Sequence, residues 1–102
     1  GDFATAISTA EGVLPTLEGD TKVRARVWVS SWLAMAHAVE FPQNGRPHAE
    51  TAVREAARLS DDGDAVAIAH YALGAVLVAE HHHADAQQTI EKGAAAGKAE
   101  SE

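Results

Sequence analysis

Six histidines in 102 residues are the first side chains to suggest chemistry, because imidazole is the commonest metal ligand and proton shuttle. His81, His82 and His83 are consecutive, so on a helix they point in different directions and cannot form a tight tetrahedral set alone. His37, His48 and His70 have no partner His or carboxylate at the i, i+4 spacing of a helical zinc motif. The expectation is solvated turn histidines and no metal, with His70 packed beside Tyr71. Nucleophilic catalysis has less support still. The chain has no cysteine, and Ser8, Ser30, Ser31, Ser60 and Ser101 sit in no nucleophile elbow. Ser30 and Ser31 instead suit a close helix crossing. Asp61, Asp62 and Asp64 lack the later ligands and terminal Glu of a calcium loop, and read as a cap and solvated linker. Gly45 and Gly63 read as turn glycines, and no glycine-rich phosphate loop is present. The residues therefore point away from an enzyme, with no catalytic group and no cofactor expected.

Composition narrows the partners. The formal net charge is −7, and no Lys or Arg falls between Arg58 and Lys92. Phosphate backbones need clustered cations, so direct nucleic-acid binding is not expected, nor is an anionic membrane surface. The apolar runs are too short and interrupted to span a bilayer. The absence of cysteine and of a basic-then-apolar leader at the first residues fits the cytoplasm. The 46 % hydrophobic content is largely Ala, with five aromatic residues, a composition for close helix packing rather than for a β-sandwich.

Five helices are expected, and no strand. The first runs from Asp2 to about Leu17, with Ile7, Ala10, Val13 and Leu14 inward and Pro15 disturbing its last turn. Gly19 breaks the chain, and Asp20 or Thr21 can cap the second helix, which runs to about Glu40. Residues 41–45 read as a break, with Pro47 in the first turn of the third helix. Glu50, Arg54 and Arg58 make a solvated face there. Asp64 suits the N-cap of a fourth helix spanning Ala65 to about Glu80. The fifth runs from Ala84 to about Gly93 and frays through Gly97. Short connections favour antiparallel hairpins stacked in a row.

One pattern recurs three times. Ala6, Ala10 and Val13 are matched by Ala49, Val53 and Ala56 after 43 residues, and by Ala86, Ile90 and Gly93 after 37 more. A small–apolar–small stripe at such a period marks stacked helical repeats.

On these residues the chain resembles a tetratricopeptide repeat array. Gly1-Asp2-Phe3 followed by Ala6-Ile7, Ala10 and Val13-Leu14 resembles the turn and second helix of a repeat. Leu73-Gly74 and Leu77, then Ala86, Ile90 and Gly93, resemble a whole one, with His81-His82-His83 in place of the usual Gly-acid-aromatic turn. Trp28 falls where Tyr71 does when Ser31 is set against Gly74. The long spacings and acidic linkers resemble those of bacterial LuxR-type and maltose-activator-like signal-transduction regulators. The resemblance implies an all-α solenoid, one domain over residues 1–102, and a chain that begins inside a repeat as a fragment of a longer array.

It also implies that the first helix of each repeat lines a concave groove. Trp28, Trp32 and Met35 would face it from the second helix, beside Ile68, Tyr71 and Val78 from the fourth. Such a groove takes a protein or peptide partner, or a small effector, and makes the chain a non-enzymatic interaction module. Two other readings stay open. The tryptophan stripe can be core, packed against the first and third helices. The chain can also be a spacer or a homodimer whose groove is filled by itself, since an uncovered first helix invites self-association. An enzyme domain, or a four-helix-type bundle with a metal held by histidines, is the remaining alternative.

Overall fold

The structure is a computed structural model that describes the backbone of residues 2–59 and 61–101 and the side chains of 3–59 and 61–96. Five α-helices account for most of it: α1 (Asp2–Val13), α2 (Val23–Ala38), α3 (Pro42–Ala56), α4 (Gly63–Ala79) and α5 (His83–Ser101). No strand occurs among the described residues, and none of these helices is long and apolar enough to cross a membrane. Gly1, which opens the expected Gly-Asp-aromatic turn, and Ser60 of the acidic linker lie outside the described residues.

Helices α2 and α3 form one hairpin and α4 and α5 a second, because three-residue links leave no room for anything but reversal. Arg26 near the start of α2 bonds Glu55 near the end of α3, which fixes the antiparallel sense. The hairpins stack through α4, which packs on α2, α3 and α5. Val27 meets Ala65 and Ala69, and Ala34 and Ala38 meet Ala72 and Val76, so α2 and α4 run parallel. A helix with neighbours on three sides must be apolar nearly all round, and α4 is.

Alanine makes this stacking possible. Ala49, Ala52, Ala56, Ala65, Ala69 and Ala72 are fully buried, and among the described residues Val27, Leu33 and Val76 are the only larger apolar side chains buried so completely. Small side chains bring helix axes together, and two glycines bring them closer. A Cβ on Gly45 would lie 2.6 Å from the Ala34 carbonyl oxygen, and one on Gly74 would lie 2.5 Å from the Ile90 side chain. Ser30 and Ser31 are also fully buried, as a close crossing requires, but their hydroxyls find no hydrogen-bond partner.

Several local expectations are corrected. Residues 42–45 are not a break: α3 begins at Pro42, and Gly45 is a packing glycine inside it rather than a turn. Pro42 takes the first-turn position assigned to Pro47, which instead sits within the helix on its exposed side. There, water can reach the carbonyl left without its amide. The cap of α4 is Asp62, whose carboxylate accepts from the Ala65 amide at 3.1 Å, and not Asp64. Asp20 and Thr21 cap nothing by side chain. They lie in a 3₁₀ turn, and Asp20 pairs with Arg58. Helix α1 stops at Val13, where Pro15 tightens the chain into a 3₁₀ turn over Leu14–Thr16, and α5 continues past Gly93 to Ser101.

The threefold stripe has two covered copies and one open one. Ala49, Ala56, Ala86 and Gly93 are buried, whereas Ala6 and Val13 are exposed and Ala10 is half-buried. Among the described residues, α2 is the α-helix whose backbone α1 approaches. Arg26 holds the link between them, donating to the carbonyls of Leu17 and Gly19 at 2.8 Å each.

Candidate functional site

The site builds outward from one face of α4. Asp64, Ala67, Ile68 and Tyr71 are spaced three, one and three apart, which puts them on a single side of the helix. Ala65, Ala69, Ala72 and Val76, about a third of a turn away, face α2 and α3, while Gly93 of α5 lies against Ala67, so this face is left partly open between its neighbours. Trp28 of α2 makes one wall, and Ile90 and Ala94 of α5 make the other. Together they enclose an open groove of 320 Å³. Ligand pockets run from about 300 to 1,000 Å³, so this one takes a few side chains rather than a whole large ligand.

The lining is mostly apolar, with charge at its margins. Tyr71 is 54 % exposed and Trp28 39 %, large apolar surface that a chain with so small a core leaves outside. The Arg24 guanidinium lies 5.4 Å from the Trp28 ring centroid and donates to Asp62 at 2.7 Å, which fixes the ring's edge of the groove. Hydrogen bonds from Arg24 first, and then from the Ala65 amide, hold the Asp62 carboxyl below its ordinary value. Asp64 is exposed in the groove wall and gives it a negative end.

Of the six residues expected to line one groove, the structure brings together Trp28, Ile68 and Tyr71. Trp32 is 38 % exposed but lines a second groove of 430 Å³ between α2 and α1, with Ala6, Ala10, Val13 and Val29. Its ring centroid lies 6.3 Å from that of Phe3. Met35 is half-buried against the cluster of Ala34, Ala38, Ala49, Ala72 and Val76. Val78 is exposed on the same face of α4 as Tyr71, about 10 Å further along the axis, beyond the groove lining. The stripe from Trp28 to Met35 also spans about 10 Å, so different neighbours meet it at different heights. That division is not readable from periodicity, and neither is the contribution of α5 through Ile90 and Ala94.

The consecutive histidines are exposed at the α4–α5 turn, with the rings of His81 and His83 6.2 Å apart. His70 is held locally, its Nδ1 lying 2.8 Å from the Val66 carbonyl oxygen. Among the described residues one set has metal-ligand spacing: Glu11, His37 and His48, on α1, α2 and α3. None of the three lines the groove. No protein-family model matches the chain, and comparison with curated proteins and with solved structures finds no match.

Proposed function

We propose that the chain is a non-enzymatic interaction module, a tetratricopeptide-like stack whose α4 groove takes an apolar segment of a protein partner. The observation that carries this reading is the groove between exposed Trp28 and Tyr71, floored by half-buried Ile68, with no chain segment covering it among the described residues. Trp and Tyr give much contact area for few rotamers lost, which is why such residues anchor interfaces. The stacking order supports the repeat reading: the first helix of one hairpin, α2, packs on the first helix of the other, α4, as in a solenoid.

The occupant's chemistry follows from the walls. A bulky apolar side chain fits between Trp28 and Ile90, and a cation beside it would meet Asp64. A patch this small gives affinity in the micromolar range, about −8 kcal/mol. A small effector would use the same pocket. Regulation of a bacterial transcription factor, with a cytoplasmic setting, is the context that the resemblance implies.

The test is selection of short displayed peptides on the wild type, with counter-selection on Ile68→Glu. Peptides carrying an apolar anchor next to Lys or Arg, and lost on the variant, support the proposal. Failure to recover any peptide sensitive to Ile68, Tyr71 or Trp28 overturns it. The competing reading, self-association through the Trp32 groove on α1, rests on Phe3 and Val13 being exposed beside it. A wild-type dimer that becomes monomeric on Val13→Glu would favour that reading.

A further inference from the structure

Helix α1 contributes little to the core, yet one of its side chains reaches both helices of the first hairpin. Glu11 Oε2 lies 3.7 Å from His37 Nε2 on α2 and 3.9 Å from His48 Nε2 on α3. Both nitrogens approach the same oxygen, and the three ligand atoms all lie within 4.8 Å of one another. The two imidazoles are nearly parallel, 6° apart with centroids at 5.8 Å, and both Nε2 atoms lie within 4 Å of the same Glu11 oxygen.

These separations are the wrong size for hydrogen bonds and close to the right size for a shared ion. At 3.7 and 3.9 Å no hydrogen bond joins the carboxylate to either ring. With metal–ligand distances of about 2.0–2.2 Å, two ligand atoms of a tetrahedral ion sit roughly 3.3–3.5 Å apart. Small side-chain rotations would close the difference. Among the described residues, neither imidazole hydrogen-bonds elsewhere, so no existing bond need break.

We propose that Glu11, His37 and His48 form a site for one divalent ion of the zinc class, which clamps α1 onto the α2–α3 hairpin. Two imidazole nitrogens and one carboxylate oxygen suit zinc, whereas magnesium and calcium favour all-oxygen sets. Three protein ligands leave a fourth position to water. His37 is 15 % and His48 23 % exposed, so the ion would be partly screened from solvent.

The clamp has a structural consequence. Ile7 and Ala10 are the half-buried residues of α1 over 3–13, and Phe3 and Val13 stay exposed, so apolar burial alone holds the helix weakly. An ion shared by three helices would fix its angle and set the width of the groove beside Trp32.

The experiment is calorimetric titration of metal-free protein with Zn²⁺, repeated with Co²⁺ for its visible absorption, on the full chain. One ion per chain is expected, with cobalt bands of a low-coordinate nitrogen–oxygen site. Glu11→Gln and His48→Ala should each weaken binding by about tenfold or more. Changing His81, His82 and His83 together to Asn should leave it unchanged. Zinc should also slow amide exchange across Asp2–Val13. Glu11 is exposed, so Glu11→Gln remains informative if a histidine variant does not fold. Binding indifferent to Glu11→Gln, or abolished by the triple change, overturns the proposal, as does the absence of binding.

Discussion

Arg26→Ala should cost about 2.5–3 kcal/mol, a large effect for one side chain on a helix surface. Arg26 joins three segments: α2, the end of α3 and the α1–α2 link. Its Nε donates to Glu55 Oε1 at 2.8 Å, tying α2 to the end of α3. Its Nη1 donates to the carbonyls of Leu17 and Gly19, tying down the α1–α2 link. The Arg26 and Glu55 side chains are 14 % and 18 % exposed, so this charge-assisted bond contributes about 1.5–2 kcal/mol. The bond to Gly19 is exposed and the one to Leu17 part-buried; both accept at neutral carbonyls and add about 0.5 kcal/mol each. Glu55 keeps its bond to Arg58 at 3.1 Å, so it is not orphaned and the total stays below that of a broken buried pair. Urea unfolding followed by circular dichroism reads the loss, and limited proteolysis around Leu17–Gly19 reads the released link. Arg26→Lys should recover only part, because an ammonium cannot reproduce the planar fork. A cost under about 0.5 kcal/mol, with no new cleavage at the link, would refute this account of how the first helix is attached.

Four further predictions are read by denaturant unfolding and circular dichroism. His81 ends α4 in the left-handed region, φ 67°, with the His82 amide bonded to Leu77 and the His81 amide to Val78, so His81→Gly should stabilise by about 0.5–1 kcal/mol. No change would mean that the strain is absorbed elsewhere. Ser30→Ala removes a buried hydroxyl without a partner and should stabilise by about 1 kcal/mol; a loss would show that the hydroxyl is bonded in solution. Gly45→Ala should destabilise by about 1–3 kcal/mol through its collision with the Ala34 carbonyl, whereas Gly12→Ala, with nothing within 4 Å, should raise helicity. Stability should also fall in acid. Burial raises the Glu55 carboxyl, but the hydrogen bonds from Arg58 and Arg26 outweigh it, and Asp62 is lowered by Arg24 and the Ala65 amide. Both folded values lie below the ordinary 4.5 and 3.8, so the stabilisation is complete above those values and is lost as pH falls through the folded ones. Denaturant midpoints that are flat from pH 5 to pH 3 would contradict this assignment.

The helices were legible where local chemistry decides them. The Asp-rich turn before α4, the histidine turn before α5 and the proline that ends α1 are all set by a few neighbouring residues. Gly45 and Pro47 misled because a glycine at a helix crossing and a glycine in a turn look alike until the neighbouring helix is present. Asp62 and Asp64 differ only in which carboxylate meets the first free amide, which composition cannot reveal. The groove was half legible. Trp28, Ile68 and Tyr71 share faces that helical spacing predicts, while Ile90 and Ala94 arrive from a different helix. The Glu11–His37–His48 set was invisible to spacing, since its members come from three helices and share no interval.

The most direct test of the groove is fluorescence of a Trp32→Phe variant, which leaves Trp28 as the single tryptophan. Titration with a peptide selected as above should shift and saturate that emission, in the micromolar range of concentration. The same titration on Tyr71→Ala, an exposed position whose loss should cost under about 0.5 kcal/mol of stability, should show binding at least about tenfold weaker. Saturation that leaves Trp28 unchanged, or that is indifferent to Tyr71, would contradict the claim that this groove is where the partner binds.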